Sequence, residues 1–337
     1  MSKDIEDHPH TIGLETQWQT PAITEKNAYE LMKINANQAQ EFLYLGFPWA
    51  SMIDGVQRQK PYLGELLIAL NVIAKLSNKR QTRIATVSQH ISTIEFMQIF
   101  ESVGITDLFI PHKLLGQDVV NGIRLHPFPL YPTQVASKPI ELNISSILDV
   151  NRDSKFLANF IGSYIPEHYI SNTRERILQD AGKTKEVLII RRDSWHFERE
   201  VYKEQMGGYA PKQQELDESE RRKNEYLDAI LDSTFTLCPT GSGPNSIRLF
   251  ECLLLNSIPV ILTKNLELPG HRALWEKACI FEEDSPSGYE HALRLIRNIK
   301  KGHIIEMREA GKELSKQIDP SSVSKLILNQ MRYSSKS

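Results

Sequence analysis

Only three cysteines occur in 337 residues, Cys238, Cys252 and Cys279. Their number is odd and their spacing is not that of a metal site, which argues against a disulfide scaffold and for a reducing compartment or plain core thiols. No stretch approaches the roughly 20 apolar residues needed to cross a bilayer. The nearest, LGELLIALNVIAKL at 63–76, is interrupted by Glu65, Asn71 and Lys75 and reads as an amphipathic helix. The opening MSKDIEDHPHTIGLE is polar and acidic, without the apolar core of a secretory signal. Neither sign of charge prevails. The 40 Lys and Arg against 42 Asp and Glu leave a formal −2, too little field to hold a polyanion, so no nucleic-acid partner is expected. These absences suggest a cytoplasmic protein; work at the inner face of a membrane stays compatible with them.

What is present is an ordinary soluble composition, 40% apolar and 24% charged, at a length that suggests two domains or one large one. Residues 1–25 read as a polar arm, with His8 and His10 solvated. Helical spacing follows at 26–40, then FLYLGFPWASMIDG (42–55) as a strand entering a turn at Pro48. RIATVSQH (83–90) and DLFIPH (107–112) read as strands, TIEFMQIFESVG (93–104) as a helix stopped by Gly104, and IRLHPFPLYP (123–132) as extended. The alternation resumes with strands at 155–162, 186–193, 235–239 and 258–263, helices at 168–182 and 246–256, and a charged, glycine-containing loop at 198–213. The charge run at 212–225 reads as a solvated helix face. Alternating strands and helices imply parallel sheets. The expected architecture is α/β, two Rossmann-like domains facing a cleft. The boundaries are 1–150 and 151–320, with a terminal helix within 321–337 that crosses back. In such sheets ligands bind beyond the carboxyl ends of the strands.

The richest segment is 233–270. A strand ends at Cys238, and a turn follows: Pro239, Thr240, Gly241, Ser242, Gly243, Pro244. Asn245 or Ser246 can cap the next helix. A helix start points free N–H groups and the positive dipole end at the turn, and glycines admit a ligand close to the backbone, a ready phosphate site. In the helix, Arg248 and Glu251 share a face. A carboxylate there can bind a vicinal diol and an arginine can neutralise phosphate; equally, the two can form a surface pair three residues apart. No Gly-Lys-Ser/Thr follows the turn, and the third glycine of the dinucleotide fingerprint is missing, so neither a P-loop enzyme nor a dehydrogenase is expected.

The stretch LCPTGSGPNSIRLFECLLLNSIPVILTKNLELP resembles the C-terminal signature of the exostosin-type glycosyltransferases, which have a GT-B architecture. It carries the Pro-x-Gly turn (Pro239 to Gly241), the Ser-x-Arg-Leu helix start (Ser246 to Leu249), the acid Glu251, the Ile-Pro-Val strand (Ile258 to Val260) and Leu268-Pro269. FIGSYIP (160–166), TRERIL (173–178) and LIIRRD (188–193) are similar to the family's earlier pieces. Two positions depart. Asn256-Ser257 stands where the family has Gly-Cys, and Thr240 stands where a basic residue is common. The resemblance implies inverting transfer of a sugar from a nucleotide-diphosphate donor to an oligosaccharide or lipid-linked glycan acceptor in surface-polysaccharide assembly, without a metal or other cofactor. The turn from Thr240 through Gly241, Ser242, Gly243 and Asn245 to Ser246 would hold the diphosphate. Glu251 would hold ribose or sugar hydroxyls, and Arg191, Arg192 or Arg248 would take over phosphate binding. Eukaryotic relatives carry a membrane anchor that this chain lacks the run for, so it looks more like soluble bacterial enzymes. No family motif marks the catalytic base. The residues alone offer Asp54, His90 and His112, all expected just past strand ends and each equally able to be structural. A rival reading is a non-catalytic nucleotide- or sugar-binding module. An esterase or phosphatase is disfavoured, since no Gly-x-Ser-x-Gly elbow or paired His/Asp metal motif is found.

Overall fold

The computed structural model describes residues 4–80, 82–136, 149–194 and 199–333. The start of the arm, the residues just ahead of the boundary expected at 150, the first residue of the loop expected at 198–213 and the tail 334–337 lie outside them. The chain divides into two compact units. The first comprises Met1–Tyr131, Glu267–Gly270 and Pro320–Ser337, and the second Pro132–Leu266 and His271–Asp319.

The first unit is built on a seven-stranded sheet: β1 (Ile5–Asp7), β2 (Thr11–Leu14), β3 (Phe42–Gly46), β4 (Arg83–Val87), β5 (Asp107–Ile110), β6 (Val119–Val120) and β7 (Ile123–Pro127), in the order β1-β2-β3-β4-β5-β7-β6. The pairs from β2 to β7 are parallel; β1 and β6 close the two edges antiparallel. The polar arm expected at 1–25 is therefore partly a hairpin, and Thr11–Leu14 is buried. Four residues beside polar neighbours give too short a run for periodicity to reveal; pairing with β3 decides their state.

Strand alternation feeds two cores. Leu43, Leu45, Ile84, Leu108 and Ile110 pack under α2 (Trp49–Gln57), α3 (Leu63–Asn78) and α4 (Met97–Val103). Phe42, Tyr44, Ala85, Val87 and Phe109 point the other way, onto α1 (Thr24–Ile34) and Val323, Ile327, Leu328 and Met331 of the last helix (Val323–Tyr333). That helix thus packs in the first unit. Gly104 ends α4 at φ +83°, the left-handed conformation glycine adopts at no steric cost.

The second unit holds a fully parallel sheet of β8 (Phe156–Gly162), β9 (Val187–Arg191), β10 (Ser233–Pro239), β11 (Ile258–Leu262) and β12 (Ile280–Glu282), in the order β12-β11-β10-β8-β9. Read from the second strand outwards this is 2-1-3-4-5, a doubly wound order whose reversal lies between β8 and β10. Two α/β sheets of Rossmann type are thus established. A short helix, α5 (Thr133–Ala136), precedes β8, and the crossovers in the second unit include α6 (Thr173–Leu178), α7 (Gln213–Leu231) and α8 (Ile247–Leu254). α6 is shorter than the span 168–182. Asn256, standing where the family has glycine, adopts φ +54° just past α8, a conformation asparagine tolerates better than most residues. Ser257 fills the following position by exchanging a 2.8 Å hydrogen bond with Thr236.

Candidate functional site

The turn between β10 and α8 lies at the point where the strand order of the second sheet reverses. Its shape is fixed internally. The Gly241 N–H donates to the Gly243 carbonyl (2.9 Å), and Thr263 Oγ1 to the Pro244 carbonyl (3.1 Å). Asp284 ties it down from below, accepting from Thr240 Oγ1 and Ser171 Oγ at 2.7 Å each. So Thr240, in the family's basic position, serves as an anchor of the turn. A Cβ on Gly241 would lie 3.6 Å from the Asn245 carbonyl and 3.8 Å from an Arg174 nitrogen, so the glycine leaves backbone open toward that guanidinium. Ser246 is the residue preceding α8, and its hydroxyl makes no capping bond; Asn245 Oδ1 instead accepts the Ser246 N–H at 2.8 Å. The first N–H groups of α8 are left without a side-chain cap, a positive helix end aimed at the turn. Ser242 is the exposed tip.

Two buried arginines converge on this place. Arg248 donates to the Ile161 carbonyl at the end of β8 and lies 4.4 Å from the Phe160 ring centre. Its Nε is buried with no hydrogen-bond partner. Arg174, from α6, donates from Nε to the Thr240 carbonyl (2.7 Å) and stacks 4.4 Å over Tyr169. Its outer nitrogens stand beside Gly162 and Gly241. Among the described residues neither guanidinium has a carboxylate within ion-pair distance. Burial, with Arg248 close by, pulls the Arg174 guanidinium down to about 10. Two desolvated, mutually repelling cations thus stand together at a helix start.

Glu251 is 2% exposed. Its oxygens accept from the Tyr226 hydroxyl (2.7 Å) and the Gln134 N–H (2.8 Å). Burial pushes its carboxyl up, against those donors and Arg248. The expected surface pair is thus a buried arrangement. Each carboxylate oxygen keeps a further acceptor position. The other two expected phosphate ligands part company: Arg191 is exposed at the end of β9, whereas Arg192 is paired with Glu225. Sequence reasoning passed over Arg174. Its signal was the helical spacing to Ile177 and Leu178, both buried, which puts it on the inward side of TRERIL.

The first unit gathers its three candidates at the carboxyl edge of β3, β4 and β5. Asp54 lies within α2, a correction to the strand-and-turn reading of 42–55, since the helix begins right after Pro48. It accepts from Gln19 Nε2 (2.7 Å), with Arg58 Nε at 3.4 Å and His90 Nε2 at 3.8 Å. His90 Nδ1 accepts the Ser92 N–H (3.1 Å), which leaves the proton of the neutral ring on Nε2, toward Asp54. His112 Nδ1 is buried without a partner; burial, with His90 adding, pulls the ring down to about 4. Behind them sits Glu25, also missed from sequence. It accepts N–H bonds from Ala50 at the start of α2 (3.1 and 3.2 Å) and from Gln89 after β4 (2.9 Å). It therefore holds together the two segments that carry Asp54 and His90. Burial pushes Glu25 up to about 8, with the Asp54 charge adding. Nothing in the local pattern around 25 reveals it, because its partners lie far along the chain. Among the described residues no cluster of His, Cys, Asp and Glu could hold a metal ion.

The fold is α/β, with a doubly wound second sheet and two buried guanidiniums beside the turn that follows β10. A family model, the exostosin GT47 domain, matches residues 118–289, half of the chain. The chain belongs to this family of glycosyltransferases. Among similar proteins are a probable glucuronosyltransferase of Oryza sativa subsp. japonica, 41% identical over 64 residues, and ribitol-5-phosphate xylosyltransferase 1 of Homo sapiens, 28% identical over 142. The matches take in 18% and 42% of this chain and span only 15% and 27% of those relatives. A solved structure of Anabaena Alr3699/HepE in complex with UDP and glucose aligns over 90% of this chain and 80% of its own, at 9% identity and a TM-score of 0.40. No helix among the described residues is long and apolar enough to cross a membrane.

Proposed function

We propose that the protein is an inverting glycosyltransferase. It moves a sugar from a nucleoside-diphosphate donor to a hydroxyl of an oligosaccharide or lipid-linked glycan, in surface-polysaccharide assembly on the cytoplasmic side. The observation that carries the reading is the pair of buried guanidiniums, Arg174 and Arg248, at the start of α8, neither within ion-pair distance of a carboxylate among the described residues. A diphosphate supplies the missing counter-charge, and the charge that builds on it as the sugar departs is met by donors already in place. Thr240, Gly241, Ser242, Gly243, Asn245 and Ser246 line the leaving group, with Arg248 and Arg174 below; Glu251 takes ribose or sugar hydroxyls through its remaining acceptor positions. No metal is required for this leaving-group stabilisation.

In a single displacement, the acceptor hydroxyl loses its proton to a base as the bond to the diphosphate oxygen breaks. The residues assigned to that role are Asp54, His90 and His112. His90 Nδ1 is taken by the Ser92 N–H and its Nε2 stands 3.8 Å from Asp54, so His90 is assigned the role of orienting Asp54. Asp54 takes the proton, and His112, held neutral, is the other acceptor within the cluster. The test is a thermal-shift panel of UDP, GDP, CMP and their sugars, since a ligand bound only to the folded state raises the melting temperature. A shift with one nucleoside diphosphate, followed by turnover of the matching sugar donor, is the expected result. No shift with any of them would overturn the reading, and binding without transfer or slow donor hydrolysis would leave a binding module.

A further inference from the structure

α3 presents two different faces. Leu66, Ala69, Leu70, Ile73 and Ser77 are buried, the apolar ones in the core of the first unit. The opposite side is a stripe along the helix: Gly64, Ile68, Val72, Lys75 and Lys79 follow one another at three- and four-residue steps, with Leu67 beside them. Its apolar members are unusually open, Leu67 at 46%, Ile68 at 53% and Val72 at 40%. Single exposed apolar residues are common on soluble proteins, but three within two turns of one helix form a patch. The charge on the stripe is of one sign. Lys75 and Lys79 are exposed and pair with no carboxylate among the described residues. The one acid nearby, Glu65, is engaged by Gln17 at 3.0 Å.

Apolar side chains flanked by free lysines on a helix lying flat on its domain are the pattern of an interfacial helix. The apolar groups enter the acyl boundary, and the lysine stems reach back to headgroup phosphates. A second protein of acidic surface would also meet the lysines, but the patch of aliphatic side chains beside them fits the acyl boundary of a bilayer better than a charged surface. The geometry points to the outer face of α3 as a docking surface for an anionic lipid bilayer.

The stripe starts beside the candidate base. A Cβ on Gly55, the residue after Asp54, would lie 3.2 Å from Tyr62 and 3.6 Å from Leu63 at the head of α3. A protein docked through this face holds Asp54 near the bilayer surface. This deepens the acceptor assignment to a lipid-linked glycan, a step that rests on the transferase reading above, whereas the docking surface itself does not.

The test is flotation of the full chain with phosphatidylcholine vesicles, with and without phosphatidylglycerol, beside UDP thermal shifts on the same samples. The wild type is expected to float with the anionic vesicles, less so at high salt, and to stay behind with the neutral ones. The pair Ile68→Glu, Val72→Glu and the pair Lys75→Glu, Lys79→Glu should each lower partitioning about tenfold or more, with melting temperature and UDP shift unchanged. Failure of the wild type to float, or flotation of both variants at the wild-type level, overturns the surface. So does a change from dimer to monomer in the variants without loss of vesicle binding, which assigns the face to a second copy. Flotation as expected with no response to any nucleotide leaves the surface standing and removes the transferase reading instead.

Discussion

Replacing Arg174 with methionine should separate stability from binding. In the free protein the guanidinium is an expensive tenant. A displacement down to about 10 corresponds to roughly 3 kcal/mol of disfavoured charge at every pH below that value. Against this stand the 2.7 Å bond to the Thr240 carbonyl, about 1.5–3 kcal/mol for a charged donor, and the stack 4.4 Å over Tyr169, about 1–2 kcal/mol. Methionine keeps the apolar contact with the ring and releases Arg248 from a like charge. The balance leaves the free variant within about 2 kcal/mol of the wild type, a few degrees in melting temperature. With nucleoside diphosphate bound, the arginine is paired. Losing a charge-assisted contact then costs about 1.5–3 kcal/mol, roughly a 10- to 100-fold rise in Kd. Scanning calorimetry of the free protein and titration calorimetry with UDP, or whichever nucleotide gives the largest shift, read the two quantities separately. If the free variant melts far below the wild type while affinity holds within threefold, Arg174 is a structural clamp and the anion-site reasoning fails.

Three further outcomes are expected. Glu251→Ala removes the buried hydrogen bonds from the Tyr226 hydroxyl and the Gln134 N–H; it should cost about 2–4 kcal/mol in denaturant melts and abolish the nucleotide-induced shift. Asp54→Asn should lower transfer about 100-fold or more with nucleotide affinity unchanged; full activity in both this variant and His112→Asn would remove the base from this cluster. Stability should also fall away on both sides of a mildly acidic optimum. His112, lowered from 6.5 to about 4, binds its proton more readily when unfolded, so stability is lost as pH falls through that window. Glu25, raised from 4.5 to about 8, is protonated more readily when folded, so stability is lost as pH rises through that one. Melts across pH should flatten between about pH 6.5 and 4 in His112→Asn and between about 4.5 and 8 in Glu25→Gln, leaving the steeper acid loss due to salt-bridged carboxylates such as Asp107.

β3, β4, β5, β8, β9, β10 and β11 were readable because each joins a β-rich apolar run to a turn signal, and their alternation with helices announced parallel pairing; the short strands β1, β2, β6 and β12 were not. The turn at 239–246 was readable for a different reason: its glycines and cap residues are a local code. What sequence could not show were decisions made by distant partners. Whether Arg191, Arg192 or Arg174 turns inward depends on Glu225 and on the stack over Tyr169. Glu25 gains its role from N–H groups at Ala50 and Gln89, and the four residues of β2 are strand only because β3 lies alongside. Asp54 was seen as a candidate but put on the wrong element, since Pro48 opens a helix as readily as it makes a turn.

The helix Val323–Tyr333 completes the core formed by Phe42, Tyr44, Ala85, Val87 and Phe109. On the ribosome those aromatic and aliphatic groups emerge long before the segment that covers them, and the second unit is synthesised in between. A nascent first unit must therefore wait, partly uncovered, for its last piece. The order of birth makes that sheet face a place where chaperones would bind during synthesis, and it means that residues 1–131 cannot be excised as an independent folding body.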